Sequence, residues 1–312
     1  MSNAIQHRSL PLTDWGVIDA QGDDAASFLH GQLTQDVLLL RDGQAHLAGY
    51  CSAKGRLLAT MLVLKMSAQH VLLLMPKANL PATLKRLSMF VLRAKVKLTD
   101  ASAQWQIRGQ LGLLSPDVVP PLVPPAWQVN PFMGGYLISL YPAPAASRSL
   151  LLLPAEEVLP SVEPTLDKSA WDLAEVQAGV AFLHGELLDT FVPQMLNYES
   201  IGGVNFKKGC YPGQEVVARS QFRGTLKRRL YTAQSLQAGW APGVEVFVGA
   251  EASDQPCGVV VQSAPDDQGG CLLMLVLQTD AATHHADDLH GHSPQGPLLR
   301  LLPLPYELLN DI

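Results

Sequence analysis

The first two-thirds of the chain combines helical and strand-like hydrophobic patterns. Leu80, Leu84, Leu87 and Val91 recur three or four positions apart, which predicts a helix over residues 79–92. Shorter apolar segments bounded by turn residues predict β-strands. The predicted strands cover residues 12–20, 45–51, 57–65, 71–75, 95–99, 136–141 and 149–153, and two further helices cover 23–33 and 169–179.

Two local signals in this part mark a helix start and a connection. Ser169 is followed three positions later by Asp172, which is the spacing of a capping box at a helix N-terminus. Residues 115–131 contain six prolines. This segment is therefore predicted to be an extended surface connection.

The pattern changes after residue 224. Short β-like segments are now separated by Gly, Pro and Asp, which is typical of a small all-β barrel. These segments are residues 230–234, 245–248, 258–262 and 271–277. We therefore predict an α+β fold with a domain boundary near residue 226.

Composition favours a globular protein with a large core. Of the 312 residues, 47% are hydrophobic and 16% are charged, which excludes a disordered chain. The net charge of −6 argues against a surface that binds nucleic acid generally. Basic residues cluster between 207 and 229, where they fit an anionic ligand, a limited RNA contact or a solvated charged face.

No segment predicts export or insertion into a membrane. The first 16 residues lack a charged start followed by an apolar run. The apolar stretch 57–75 is interrupted by Lys65, Ser67, Gln69 and His70, so two buried strands are predicted there instead of a membrane span. We expect a cytoplasmic protein, and nothing in the sequence requires an oligomer.

The four cysteines are Cys51, Cys210, Cys257 and Cys271. Their spacing fits neither a zinc ribbon nor a disulfide scaffold. Cys51 is expected to be a packed small residue. The His- and Asp-rich residues 283–292 have the composition of metal ligands, but we interpret them as an exposed loop between barrel strands and expect no metal site.

The segment around Cys210 carries the strongest chemical signal. Two glycines and a proline surround this cysteine, which predicts a tight turn. A helix is predicted from Gln214 onward, with Glu215 in its first turn, where the helix dipole favours negative charge. The nearby lysines and arginines would favour the thiolate and hence a reactive cysteine. A structural cysteine in a turn is the alternative interpretation.

Residues 208–215, KGCYPGQE, resemble the signature of the YgfZ family. These are folate-binding accessory proteins related to the T-protein (aminomethyltransferase) of glycine cleavage and to a mitochondrial iron–sulfur assembly factor. Further similar segments are residues 14–15, 25–37, 192–194, 202–207, 217–219, 222–224, 227–228 and 304–306, the last resembling the family's final strand. The resemblance therefore covers nearly the whole chain.

The resemblance implies a fold and a function. The fold would be a three-domain ring of two ferredoxin-like α/β units plus a C-terminal small β-barrel. Residues 1–225 would form a T-protein-like folate-binding module of two intertwined α/β units, and 226–312 the barrel. The protein would bind tetrahydrofolate or a derivative and support assembly or repair of iron–sulfur clusters. Its partners would be iron–sulfur enzymes, including radical enzymes that thiolate tRNA.

The resemblance also implies site residues. Cys210 would be the functional thiol, with Lys208 and Arg219 supporting its charge. From the sequence alone, Trp15 and Trp171 are better interpreted as core aromatics. Both match folate-binding positions of the family, and the resemblance reverses this preference. The full set expected to bind the cofactor or shape its site is Trp15, Trp171, Gln194, Tyr198, Tyr211, Gln214, Glu215 and Arg223.

One segment departs from the T-protein pattern. The T-protein carries Gly-Gly-x-x-Asp-Asp, whose Asp is central to aminomethyl transfer, whereas residues 55–60 here read GRLLAT. Ala59 and Thr60 have no carboxylate to position or deprotonate an amine. We therefore expect folate binding without this transferase activity. One alternative is a folate-dependent one-carbon transferase with other catalytic groups. The other is a thiol-redox protein that works through Cys210 alone, since no resolving cysteine lies near it in sequence, although Cys51 could approach it in space.

Overall fold

A computed structural model describes residues 7–113, 126–144, 146–158, 166–224, 226–249 and 255–309. Most of the proline-rich connection predicted over 115–131 lies outside the described residues. Its last proline, Pro131, lies in a short strand.

The N-terminal part builds one five-stranded antiparallel sheet. The elements along this part of the chain are β1 (His7–Pro11), β2 (Trp15–Gln21), α1 (Ala25–His30), β3 (Gln44–Cys51), β4 (Leu57–Ser67), β5 (His70–Pro76), α2 (Leu80–Met89) and β6 (Lys97–Asp100). The sheet has the order β3-β4-β5-β2-β6. Its alternating residues bury one face under α1 and α2 and the other against the rest of the protein.

A second five-stranded sheet recruits β1 from the start of the chain. Its other strands are β7 (Trp105–Leu113), β8 (Val129–Phe132), β9 (Gly135–Ser139) and β10 (Ala146–Pro154), followed by α3 (Lys168–Ala178) and α4 (Gln214–Phe222). The order is β1-β7-β10-β9-β8. Because β1 pairs with β7, the chain start is joined to the second sheet, although β2 belongs to the first.

The C-terminal part is a closed six-stranded barrel. Its elements are β11 (Arg228–Ser235), β12 (Glu245–Val248), β13 (Gly258–Pro265), β14 (Cys271–Gln278), α5 (Thr279–His284), β15 (Leu289–Gly291) and β16 (Leu298–Leu302). The order around the barrel is β11-β14-β13-β12-β15-β16. The predicted α+β class, with two sheet units and a C-terminal barrel, is confirmed.

One hydrophobic core joins the three parts. The same buried cluster contains Val17 of the first sheet, Leu152 of the second, and Leu230 and Val276 of the barrel. Within the described residues, no helix is long and apolar enough to cross a membrane.

Several local predictions were wrong. The capping box is absent: Asp167 precedes α3 without a side-chain cap, and Asp172 accepts a hydrogen bond from Lys168 instead. The His- and Asp-rich residues 283–292 were predicted to be one exposed loop, but only residues 285–288 form a turn there, between the end of α5 at His284 and the strand β15, whose Leu289 is buried. Barrel closure requires this extra strand.

The strand and helix boundaries also differ from the predictions. The first predicted strand begins at Trp15, and α1 and α2 are shorter than expected. Residues 304–306 follow the last strand and are not part of it. Tyr306 instead donates a 2.7 Å hydrogen bond to the Gly179 carbonyl at the end of α3.

Candidate functional site

Cys210 lies in a turn fixed by close backbone contact. Gly213 has φ of 78°, and a Cβ there would lie 2.4 Å from the Ser52 carbonyl oxygen and 2.6 Å from Gly55. Only glycine combines this conformation with such a close approach. The predicted helix does begin at Gln214. Cys210 is exposed, whereas Cys51, Cys257 and Cys271 are buried.

Lys208 anchors the turn from inside. Its Nζ donates hydrogen bonds to the carbonyl oxygens of His30 and Leu33, the latter at 2.6 Å. It also lies 4.7 Å from the centre of the Tyr211 ring. Burial lowers the pKa of Lys208 to about 8, against opposing contributions from Asp36 and Cys210. Lys208 and the Cys210 thiol therefore interact electrostatically, and the role of Lys208 in supporting a thiolate stays a prediction.

Tyr211 fills the space beneath the turn. Its ring is buried, and burial raises the pKa of its hydroxyl, with a smaller contribution from Cys51. Burial raises the pKa of Cys51 to about 12, so in this fold Cys51 is a protonated core thiol.

His30 and Asp36 are neighbours of the turn that sequence reasoning did not select. Their side chains are joined at 3.1 Å. The loop between them is clamped to residues 202–203, because Thr34 Oγ1 donates to the Gly203 carbonyl at 2.6 Å and Gln35 Nε2 to the Gly202 carbonyl at 2.7 Å. The indication in the sequence was that both residues lie within residues 25–37, one of the segments that resemble the family.

The predicted residues of α4 lie on its outer face. Glu215, Arg219, Phe222 and Arg223 line a shallow cavity of about 310 Å³. Arg219 donates a 2.8 Å hydrogen bond to Glu215, and both side chains are exposed. The Glu215 carboxylate thus offsets the positive charge that was expected to support Cys210.

Trp15 lies at the start of β2, against the segment 181–183. Its ring meets Phe182 edge-on at 4.9 Å. The backbone of this segment is held by side chains: the Leu183 N–H donates to Thr60 Oγ1 at 2.9 Å, and Asn79 donates to the Leu183 carbonyl at 2.7 Å. Thr60 therefore contributes a hydrogen-bonded hydroxyl at the position compared with the T-protein carboxylate.

Gln194 and Tyr198 lie in the interior between α4 and this segment. Gln194 donates to the Val217 carbonyl of α4 at 2.7 Å, and Tyr198 donates to the Ala181 carbonyl at 2.6 Å. Burial raises the pKa of the Tyr198 hydroxyl. These two residues connect the helix behind Cys210 with the surroundings of Trp15.

Trp171 is packed tightly into the core. A Cβ at Gly109 would lie 2.7 Å from its ring, and the Arg148 guanidinium lies 4.9 Å from the ring centre. Arg148 is paired with Glu175 at 3.3 Å. The side chain is 1% exposed, so its surroundings are those of a core aromatic, and its role in folate binding stays a prediction.

A buried ion pair lies where the barrel meets the interior. Glu199 Oε1 lies 2.6 Å from Arg229 Nη1, and Arg229 also donates to Asn197 at 3.2 Å. Burial raises the pKa of Glu199, against the lowering effect of Arg229. Sequence reasoning missed this pair because only the fold brings residues 199 and 229 together.

The predicted site residues therefore form three groups, with Trp171 apart from all of them. Cys210, Lys208 and Tyr211 form the thiol turn. Trp15, Gln194 and Tyr198 belong to the interior, and Trp171 is packed separately beneath β7. Of the remaining residues, Gln214, Glu215 and Arg219 belong to α4, and Arg223 directly follows its last residue. In the described part of the chain, no group of three or more His, Cys, Asp or Glu side chains is placed to hold a metal ion.

Comparison with known proteins supplies the family. No family model matches the sequence. A tRNA-modifying protein YgfZ of Vibrio vulnificus is 30% identical over 305 residues, with 95% of this chain and 91% of the relative covered. An uncharacterized protein of Haemophilus influenzae is 31% identical over 301 residues, covering 96% and 98% of the two chains.

The fold has a solved counterpart. The crystal structure of the glycine cleavage system aminomethyltransferase T from Bartonella henselae matches with a TM-score of 0.70 at 15% identity, covering 98% of this chain and 87% of that chain. This match concerns architecture alone. The near-full-length similarity to the Vibrio protein goes further, and by it the chain belongs to the YgfZ family.

Proposed function

We propose that the protein binds a reduced folate, with tetrahydrofolate as its parent form, and supports iron–sulfur enzymes, including enzymes that modify tRNA. Cys210 is its working thiol. The relatives named as tRNA-modifying proteins support the proposed link to tRNA modification. The T-protein-like architecture supports a folate site by analogy of fold.

The observation that carries the folate proposal is a pair of buried acceptors without donors. Gln194 Oε1 and Glu199 Oε2 have no hydrogen-bond partner among the described residues, and both side chains are buried. Buried polar atoms are nearly always hydrogen-bonded. A pterin presents N–H donors along one edge, so it can satisfy such acceptors, while Trp15 and Phe182 offer an aromatic surface to a flat ring.

The surroundings of Thr60 support binding without aminomethyl transfer. Its hydroxyl already accepts the Leu183 N–H and carries no charge. A donor amine would find no carboxylate at this position. Robust tetrahydrofolate-dependent transfer from an aminomethyl donor by the pure protein would overturn this part of the proposal.

Calorimetric titration with tetrahydrofolate tests the folate site. We expect saturable binding by the intact protein and at least a tenfold weaker affinity in Trp15→Ala and Glu199→Gln. Trp240→Phe is the matched control, because Trp240 packs in the barrel against Gly291. No binding by the intact protein refutes the folate proposal. Equal affinity in all variants refutes the assigned position.

Complementation tests the thiol. In cells lacking the endogenous protein, Cys210→Ser should bind folate normally but fail to restore iron–sulfur enzyme activity and thiolated tRNA. Cys257→Ala, at a buried cysteine in the barrel, should restore both. Full restoration by Cys210→Ser would show that the function does not require the Cys210 thiol.

A further inference from the structure

His30 and Asp36 form an oriented pair beside the thiol turn. Asp36 Oδ1 lies 3.1 Å from His30 Nδ1 and also accepts the Leu39 N–H at 3.0 Å. Both bonds fix the carboxylate. A carboxylate oxygen accepts hydrogen bonds, so the tautomer that fits this contact carries its proton on Nδ1, and in that tautomer Nε2 is an acceptor.

The free nitrogen lies at the turn that carries Cys210. A Cβ added at Gly209 would lie 3.3 Å from His30 Nε2, and Cys210 is the next residue. The His30 carbonyl is also bound by Lys208. The ring and the turn are therefore held together through both the side chain and the backbone of His30.

Lys208 is less suited to take a proton from the thiol. Its donors are directed at two carbonyl oxygens, and with a pKa of about 8 it is still mainly an ammonium at pH 7. A positive charge there stabilises a neighbouring thiolate but does not remove its proton. The other charged pair close in sequence, Glu215 and Arg219, is exposed and internally compensated.

We propose that His30, positioned by Asp36, accepts the proton of the Cys210 thiol, so that Cys210 works as a thiolate beside an imidazolium. The proton moves from Sγ to Nε2, and no electron is transferred. The thiolate is the nucleophilic form of cysteine. This inference rests on the proposed function only in taking Cys210 as the working thiol.

The rate of alkylation by iodoacetamide reports the reactivity of the Cys210 thiolate. The thiolate displaces iodide, forming an S–C bond as the C–I bond breaks. We expect His30→Gln to slow alkylation of Cys210 about tenfold at pH 7, and to leave the rate at pH 10 unchanged because the thiol ionises there without help. Asp36→Asn should slow it in the same pH range by a smaller factor.

The chain supplies a matched control and a folding check. His70 Nε2 lies 3.0 Å from Asp19 Oδ1 in the first sheet, so His70→Gln removes another His–Asp contact and should not change the rate. Mass spectrometry should show Cys51, Cys257 and Cys271 unlabelled in each variant, which confirms the fold.

Two results would overturn the inference. One is a His30→Gln rate within twofold of the intact protein from pH 6 to pH 10; the other is equal slowing in His70→Gln. The assay needs neither folate nor a partner. Its failure therefore leaves the complementation result with Cys210→Ser unaffected, and failure of that complementation leaves the alkylation result unaffected.

Discussion

The thiol turn and the interior around Trp15 are both held by side chains that bind backbone carbonyls, but they differ in what they leave unbound. In the turn, close backbone contact at Gly213 and the buried Lys208 fix the chain, and the Cys210 side chain is left exposed. In the interior, Tyr198 binds a backbone carbonyl, and two buried acceptors, Gln194 Oε1 and Glu199 Oε2, have no hydrogen-bond partner among the described residues. An exposed thiol suits a partner protein, whereas buried acceptors suit a small ligand.

The largest expected effect is a loss of stability on removing a buried aromatic side chain of the interior. Trp171→Ala should lower the free energy of unfolding by about 3–5 kcal/mol, because a fully buried aromatic is removed from a tight contact with Gly109. Urea denaturation measures it. A loss below about 1 kcal/mol would contradict a core role for Trp171.

The next effect concerns the cation inside the turn. The pKa of Lys208 is about 8 in the folded protein and 10.5 in its ordinary state, so the unfolded chain binds more protons between these pH values. The cost of the buried charge is fully present below pH 8 and disappears as the pH rises to about 10.5.

Relative to Lys208→Met, the intact protein should therefore gain about 3 kcal/mol of unfolding free energy across that range. Denaturation of both proteins at pH 7.5 and pH 10.5 gives the difference. A constant difference would show that Lys208 titrates like a solvated lysine.

A smaller effect is expected at Tyr198. Tyr198→Phe leaves the Ala181 carbonyl without its 2.6 Å donor, which should destabilise the protein by about 1–2 kcal/mol. Tyr136→Phe, at a half-buried tyrosine of the second sheet, is a control for loss of a hydroxyl. Equal stability of the two variants would mean that the hydrogen bond contributes nothing.

The smallest effect tests the outer face of α4. Arg219→Ala should change stability by less than about 0.5 kcal/mol, because the Glu215–Arg219 pair is exposed. The same variant should alkylate at nearly the wild-type rate. A clearly slower rate would give Arg219 the supporting role that the sequence predicted for it.

Local signals explain which parts of the fold could be predicted. The start of α4, the end of α3 at Gly179 and four barrel strands follow from glycines, helix formers and alternating residues near one another in sequence. β7 was missed because Gly109 and Arg108 interrupt its apolar pattern. Gly109 is required there by the Trp171 ring, a contact 62 residues away in sequence.

The residues of the candidate site also fall into those that a local motif indicated and those that only the fold brings together. Cys210 and Lys208 could be selected because they lie within one short motif. His30, Asp36, Glu199 and Arg229 could not, because their chemistry depends on contacts between distant segments. A buried carboxylate and a solvated one are identical in sequence, and only the fold distinguishes them.

The contact between Lys208 and His30 spans 178 residues of chain, which has a consequence for biosynthesis. Contacts of such long range form late in folding, after large loops have closed. A chain still emerging from the ribosome contains His30 long before Cys210, and the thiol acquires its neighbours only when the first 210 residues are assembled. The proposed activation of Cys210 by these neighbours therefore requires the fully assembled molecule and is absent from the nascent chain.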